Sequence, residues 1–324
     1  MGVTSSRPLG QLDASTYQPH RLHLADRIWP ETNCYVDLWT EVLHSLGLDP
    51  LAGLAFTLSS DFDGEQWEFF KHPQEDLRLL YGIEVREINV WRQIDEHIVR
   101  HLELGHLLTV EVDSWYLPDT AGVSYRLNHQ KTTIVPGMID RRARRLGYFH
   151  NRSYFELTGE DFDGVMRVDV PTTALAPYTE VVDLHRISRV DDHTLHERAA
   201  RLVSDHLLRR PGSNPVQRLG ERVISDVSWL CSEPPDTFHA YAFGTLRQCG
   251  AWAETLAAFV DWFGGGVLAS ATHAFTDLAA TAKTCQFKLA RAASGRPAEL
   301  DGLFASMTDQ WARGYAALES TRAQ

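Results

Sequence analysis

The chain has 324 residues, of which 44% are hydrophobic and 23% are charged, ordinary values for a globular protein. These values exclude a collagen-like chain, a largely disordered chain and a disulfide-dense miniprotein. No apolar run approaches the ~18 residues that a membrane span requires, so we expect no membrane association. The N-terminal residues contain no apolar stretch typical of a secretory signal, which predicts a cytoplasmic protein.

The net charge of −12 comes entirely from the first part of the chain. Residues 1–185 contain 16 basic and 28 acidic residues, whereas residues 186–324 contain 15 of each. Nucleic-acid-binding proteins present basic faces, so this distribution argues against a nucleic-acid partner. An acidic first half is compatible with a cationic substrate.

The first half mixes helix and strand patterns. Apolar residues at helical spacing predict a helix over 33–46, and a strand–turn–strand follows over 53–71. Two further helices are expected over 74–83 and 93–105. Strands are expected over 85–91, 106–118, 128–140 and 144–157. Because helices precede consecutive strands without regular alternation, the pattern predicts an α+β domain with an antiparallel sheet over residues 1–185.

The second half is almost entirely helical in pattern. Residues 171–190 contain prolines and threonines and are expected to form a linker or a crossover. Five helical segments follow, over 192–209, 214–231, 236–263, 267–292 and 299–319. We therefore predict a second, all-α domain over residues 186–324.

Cys34 is the candidate nucleophile. It is expected in the first turn of its helix, where backbone N–H groups and the helix dipole favour a thiolate. The alternative is that Cys34 is a small core residue. A catalytic thiol requires a base, and His129 leads the strand over 128–140. Asn151, about 22 residues further on, is the predicted orienting group for His129, and Asp113 and His150 are alternatives.

The remaining polar clusters are less specific. Neither the four cysteines nor the pair His20 and His23 have the spacing of a metal site with a clear third ligand, so we predict no metal. Basic and amide side chains in the apolar helices of the second half are candidates for binding a phosphate or carboxylate. They are Arg247, Gln248, Lys283, Lys288 and Arg291. The alternative for these cations is ion pairing with Glu254 or Asp261.

Three segments resemble a bacterial family of unknown function. They are NCYVDLWTEVLHSLGLDPLAGLAFTLSSDFDGEQWEFFK, LTVEVDSWYLPDTAGVSYRLNHQKTTIV and RQCGAWAE with KTCQFKLAR. On the basis of these segments, the chain is identified as a member of domain-of-unknown-function family eighteen thirty-nine, which is found among biosynthetic gene clusters. The succession of NC on a helix, VDSWYLP and NHQKTTIV is also similar to the butirosin side-chain acyltransferases, whose class has a papain-like Cys–His–Asp arrangement.

The second resemblance implies a reaction. It matches Cys34 to the nucleophile, His129 to the base and Asn151 to the third position, where that class more often has Asp. An acyl group would pass from an acyl or peptidyl carrier-protein thioester to Cys34 and then to an amine. Backbone N–H groups near Asn33 and Cys34 would stabilise the oxyanion. The basic cluster would hold the phosphate of phosphopantetheine, which enters only as part of the carrier-protein substrate, and no other cofactor is implied.

Three other functions remain open from the sequence, one of which is a metalloenzyme that uses His20 and His23. A cysteine hydrolase, such as an amidase, peptidase or thioesterase, would use the same residues with water as the acceptor. A non-catalytic binding protein would have Cys34 in its core and use the helical half for interaction. A thiol at Cys34 that reacts in the folded state would favour either enzyme over the binding protein.

Overall fold

The structure is a computed structural model that describes residues 8–24, 27–171 and 174–322. The chain divides into two compact units. The first unit takes the described residues of 1–24, 34–50 and 73–190, and the second takes those of 25–33, 51–72 and 191–324. The first unit therefore ends at residue 190, five residues after the boundary expected at residue 185. Two segments of the first half, residues 25–33 and 51–72, belong to the second unit.

A six-stranded sheet forms the first unit, and every pair of neighbouring strands is antiparallel. The strands are β1 Glu84–Glu87, β2 Leu107–Asp113, β3 Lys131–Asp140, β4 Arg145–His150, β5 Ser153–Thr158 and β6 Thr179–Asp183. Their order across the sheet is β1-β6-β2-β3-β4-β5. The sheet confirms the prediction of an α+β arrangement with an antiparallel sheet in the first half.

Helices accompany this sheet. They are α1 Cys34–Ser45, α2 Gln74–Tyr81, α3 Ile94–Glu103 and α4 Glu160–Met166. Helix α1 packs against β3 and β4, and α3 packs against β2 and β3. Val110 of β2 and Ile134 of β3 are paired across the ladder and lie in one buried apolar cluster with Tyr148 of β4. Since side chains alternate along a strand, Thr132 and His150 lie on the same face as this cluster.

The second unit is mostly helical, as predicted. Its helices are α5 Asp192–Leu208, α6 Pro215–Leu230, α7 Pro235–Ala242, α8 Gln248–Gly264, α9 Ala269–Ala293 and α10 Asp301–Arg322, with a π-helix at Phe243–Arg247. The two early segments are integral to its core. Trp252 is fully buried, and its indole N–H donates to the carbonyl of Thr57 at 2.7 Å. No helix of the described ranges has the length and apolarity needed to cross a membrane.

Several predicted elements differ from the structure, and the single helix expected over 236–263 is α7, the π-helix and α8. The first strand expected over 53–71 is a buried 3₁₀ helix, Pro50–Ser59, and only the isolated bridge between Phe62 and Trp67 remains of the pairing. Its continuous apolar run has no period that distinguishes a strand from a buried helix. The strand expected over 144–157 is two strands, β4 and β5, joined by a tight turn. Strand β6 lies in the segment expected to be a linker.

Candidate active site

Cys34 is the first residue of α1 and is half-buried. The side-chain hydroxyl of Thr132, the backbone of Thr133 and the Lys131 ammonium each act to lower the pKa of its thiol. Burial nevertheless raises the pKa of the Cys34 thiol above its usual value. The expectation of a stabilised thiolate is therefore wrong for this state of the protein, because desolvation outweighs the favourable contacts. A nucleophilic Cys34 needs a base that accepts its proton.

His129 forms an exposed pair with Asp113. The imidazole Nδ1 lies 2.5 Å from Oδ2 of Asp113, and the ring stacks on Trp115 with centroids 4.5 Å apart and an interplanar angle of 9°. The side chain of His129 is 67% exposed. The pair forms because β2 and β3 are antiparallel neighbours, and their register sets Asp113 opposite Lys131, two residues after His129.

An open cleft of about 550 Å³ surrounds this pair. Asp113, His129 and Lys131 line it, together with the aromatic rings of Tyr116 and Tyr178. Lys131 thus contributes to the cleft and also acts electrostatically on Cys34. Its ammonium is itself neutralised by Glu111, with Nζ and Oε1 2.8 Å apart. The cleft is open to solvent and has both acidic and basic groups in its wall.

A second, buried pair of histidine and aspartate lies at the end of β4, whose last residue is His150. His150 Nδ1 lies 2.5 Å from Oδ2 of Asp119, and the two side chains are 1% and 4% exposed. Asp119 also accepts a hydrogen bond from the hydroxyl of Tyr148 at 2.5 Å. A carboxylate that accepts from Nδ1–H leaves Nε2 with its lone pair. That Nε2 lies 2.8 Å from Oγ1 of Thr132, the hydroxyl that also contacts Cys34.

The contacts therefore form a continuous chain from Cys34 through Thr132 and His150 to Asp119. Oγ1 of Thr132 lies 2.8 Å from Nε2 of His150 and also interacts with the Cys34 thiol. If Nδ1 of His150 carries the proton, the Thr132 hydroxyl donates to Nε2 and its oxygen keeps a lone pair for the S–H of Cys34, which is the arrangement that a proton relay requires. The sequence pointed to His150 only as a substitute orienting group, and no pattern in it indicated Thr132 or Asp119.

Asn151 occupies the turn between β4 and β5. Its backbone φ is +47°, in the left-handed region that Asn tolerates better than most residues, and His150 pairs with Ser153 across the turn. The pairing of Val135 with Phe149 sets residue 151 level with residue 133, not with residue 129. The hydrogen bond that orients His129 comes instead from Asp113, the alternative that the sequence had left open.

The predicted basic cluster lies in the second unit, and its members have different environments. The Lys283 ammonium lies 4.2 Å from the centroid of the Trp29 ring, and burial together with the charge of Arg247 lowers its pKa. Arg247 lies 3.6 Å from the carboxylate of Glu31. Lys288 and Arg291 are exposed on α9. Within the predicted cluster, the charge of Arg247 thus acts on the Lys283 ammonium.

The two amide side chains that were predicted to bind substrate, those of Asn33 and Gln248, are also in the second unit. Gln248 is buried, and its Nε2 donates to the carbonyl of Thr32 at 3.2 Å. Asn33 is buried, and its Nδ2 donates to the carbonyl of Phe70 at 3.0 Å. Both side chains therefore hold backbone segments of the second unit together.

The pair His20 and His23, weighed above for metal, serves other contacts. The Nδ1 of His20 accepts a hydrogen bond from the backbone of Leu22 at 3.3 Å. His23 is buried between two carboxylates of α1, with Nε2 3.4 Å from Oδ1 of Asp37 and Nδ1 bonded to Glu41. The net effect of these contacts is to make His23 part of a buried ion-pair network.

Comparison with known proteins gives a family but no activity. The DUF1839 N-terminal domain matches residues 18–184, and the DUF1839 C-terminal domain matches residues 192–320. No curated protein matches the chain. The two domain matches together span nearly the whole sequence, and the chain therefore belongs to the DUF1839 family, whose function is unknown.

Proposed function

We propose that the protein is a cysteine-dependent acyltransferase that moves an acyl or aminoacyl group from a carrier-protein thioester to an amine. The observation that carries the proposal is the buried pair His150–Asp119, whose imidazole Nε2 lies 2.8 Å from the Thr132 hydroxyl that acts on the Cys34 thiol. A buried thiol with a raised pKa becomes a nucleophile only when a base takes its proton, and this pair supplies one. A papain-like fold of the first unit and a role in a biosynthetic gene cluster are parts of the same proposal.

The first half-reaction transfers the acyl group to the enzyme. As Cys34 Sγ attacks the thioester carbonyl, its proton passes to Thr132 and the Thr132 proton passes to Nε2 of His150. Asp119 stabilises the imidazolium that forms. The C–S bond to the carrier then breaks, and the proton from His150 returns to the departing phosphopantetheine thiol. The products are an S-acyl Cys34 and the free carrier thiol.

The second half-reaction releases the acyl group as an amide. The acceptor amine attacks the S-acyl carbonyl, and we assign the removal of its proton to His129, oriented by Asp113 in the open cleft. The C–S bond to Cys34 breaks and the sulfur leaves as a thiolate that takes up a proton from water, while His129 returns the proton of the amine to solvent. A cationic amine suits this cleft, because acidic side chains occupy positions 111 and 113 and the first half has an excess of acidic residues. As a separate proposal, Arg247 and Lys283 of the second unit bind a phosphate group.

A hydrolase is the second candidate, and one observation favours it. The His129 side chain is 67% exposed in an open cleft, so water has access to the group that would activate an acceptor. Hydrolysis and aminolysis share the first half-reaction. Product analysis with and without an amine separates the two.

The test follows the acyl-enzyme by intact-mass spectrometry. The full chain is mixed with a short-chain acyl-CoA as the thioester, and the adduct is assigned by peptide mapping. We expect an adduct on Cys34 that is absent in Cys34→Ser and retained in Cys231→Ser, the matched control for an exposed thiol. An adduct that survives Cys34→Ser, or no adduct with any thioester while Cys34 also resists alkylation, would support the non-catalytic binding protein instead.

The roles of His150 and His129 can be distinguished, because substitution of each histidine is expected to slow a different step. His150→Gln should slow acylation by about 10²–10⁴-fold, the usual contribution of a general base. His129→Gln should leave acylation intact and slow transfer to the amine, so that the acyl-enzyme accumulates. If His129→Gln abolishes acylation and His150→Gln does not, His129 is the base for Cys34 and the relay through Thr132 is refuted.

A further inference from the structure

Three ligand-type side chains meet at one end of the sheet, away from Cys34 and both dyads. They are His106, Asp183 and His185, here called the β6-end cluster. Leu107 of β2 pairs with Val182 of β6, so the register places His106 directly opposite Asp183. His185 follows Asp183 by two residues. The fold therefore brings the three side chains together from two chain segments that are far apart in sequence.

The distances within the cluster match the spacing of ligands around one small cation. His106 Nε2 lies 3.1 Å from His185 Nδ1 and 3.8 Å from Asp183 Oδ1, and the latter two atoms are 2.8 Å apart. Zn²⁺ binds imidazole nitrogen and carboxylate oxygen at ~2.0–2.2 Å in tetrahedral geometry, which separates neighbouring ligand atoms by about 3.3 Å. The three distances lie on both sides of that value.

Of these three atoms, Asp183 Oδ1 already accepts a hydrogen bond from the backbone N–H of His185 at 3.0 Å, whereas His185 Nδ1 has two competing partners. His185 Nδ1 faces both a carboxylate oxygen and the ring nitrogen of His106. If Nδ1 carries a proton, that single proton is divided between two acceptors. If it carries a lone pair, it faces the negative charge of Asp183. A cation at the centre of the cluster interacts favourably with all three atoms at once.

The surroundings of the cluster fit the same ligand roles. His106 Nδ1 lies 3.3 Å from Nδ1 of His101 on α3, so an N–H at that position has a partner and Nε2 keeps its lone pair. Ligating histidines are ordinarily held in this way through their second nitrogen. The guanidinium of Arg86 lies 3.6 Å from the other oxygen of Asp183, Oδ2, and leaves Oδ1 to the cluster.

We propose that the β6-end cluster binds one divalent transition-metal ion, such as Zn²⁺, through His106 Nε2, Asp183 Oδ1 and His185 Nδ1. Two imidazoles and one carboxylate are a donor set that suits Zn²⁺ and related ions better than Mg²⁺ or Ca²⁺. The side chain of His185 is 63% exposed, so water has access to the remaining coordination position. The ion links the start of β2 to the end of β6. Its binding is independent of the proposed acyl transfer.

The test uses the full chain after removal of metal with a chelator. Co²⁺ is titrated and followed by its visible absorption, and Zn²⁺ competition then gives the zinc affinity. We expect one equivalent of Co²⁺ to bind and to be displaced by Zn²⁺. His106→Ala and His185→Ala should each weaken binding by at least ~100-fold, and His101→Ala by ~10–100-fold, the usual effect of losing an outer partner.

Controls make the result decisive. His193→Ala is the matched control, because His193 is an exposed histidine of the second unit that also lies beside a carboxylate, Glu197, at 3.5 Å. It should bind Co²⁺ as the unaltered chain does. Asp183→Asn retains the shape of the side chain, and circular dichroism checks the fold of each variant. Binding that is absent in the unaltered chain, or unchanged in both His106→Ala and His185→Ala, would overturn the proposal.

Discussion

The buried ion pair of His23 predicts that the protein loses stability as the solution becomes alkaline. Burial by itself would lower the pKa of His23, but hydrogen bonds and charges from Asp37 and Glu41 outweigh it and raise the pKa from 6.5 to about 9. A folded-state pKa above the unfolded value contributes stability that is complete below pH 6.5 and is lost as the pH rises through about 9. One pKa unit corresponds to about 1.4 kcal/mol, so the whole contribution is about 3 kcal/mol.

The measurement is the free energy of unfolding as a function of pH between 6 and 10. Urea unfolding is followed by hydrogen-exchange mass spectrometry of peptides from α1, which assigns the transition to the first unit. We expect the free energy to fall by up to about 3 kcal/mol across this range. In His23→Gln the pH dependence should be reduced, and at neutral pH the loss of one partner from a buried pair should cost ~3–5 kcal/mol.

The matched control is His239→Gln, which changes an exposed histidine of the second unit. Its stability should follow that of the unaltered chain at every pH. An identical pH dependence in His23→Gln and the unaltered chain would refute the assignment of a positive charge to buried His23.

Three further predictions follow from close contacts and from the relay. Gly250→Ala places a Cβ 2.4 Å from the ring of Trp29, which is buried, so thermal unfolding should show a loss of ~1–3 kcal/mol. Asn151→Gly should leave both the melting temperature and acyl transfer unchanged. Asn151→Ala should instead cost ~1–2 kcal/mol of stability, because the backbone φ of residue 151 is positive. A loss of acyl transfer in Asn151→Gly would restore the predicted catalytic role of Asn151. Asp119→Asn should slow acylation of Cys34 by ~10²–10⁴-fold in stopped-flow mass analysis, and an unchanged rate would remove His150 from the mechanism.

Much of the fold was predictable where the pattern had a clear period. The helical stripe predicted α1 to within one residue at each end, and apolar, β-branched content predicted β2, which ends five residues earlier than expected. Strand β6 was missed because its five residues follow a segment with prolines at 171 and 177, which resembles a linker. The buried 3₁₀ helix Pro50–Ser59 was taken for a strand because a fully apolar segment has no polar face to reveal its period.

The candidate site was predictable only in part. The antiparallel neighbours β2 and β3 bring Asp113 and His129 together, and both residues were named from the sequence. Asp119 carries no such signal, since it lies in a short 3₁₀ turn whose direction depends on the tertiary fold. The thiolate expected at Cys34 assumed an accessible helix N-terminus, whereas the fold buries the sulfur and raises its pKa.

The division of the chain between units also governs the order in which it folds during synthesis. Residues 51–72 leave the ribosome early, but the partners of this segment come much later: the bond from Trp252 to Thr57 spans 195 residues, and that from Tyr315 to Leu58 spans 257. Closing such long loops is entropically costly and slow. The apolar 3₁₀ helix Pro50–Ser59 therefore has no complete core to pack into until the last helix has been synthesised. A nascent chain that ends at residue 185 leaves this 3₁₀ helix exposed to chaperones and to aggregation.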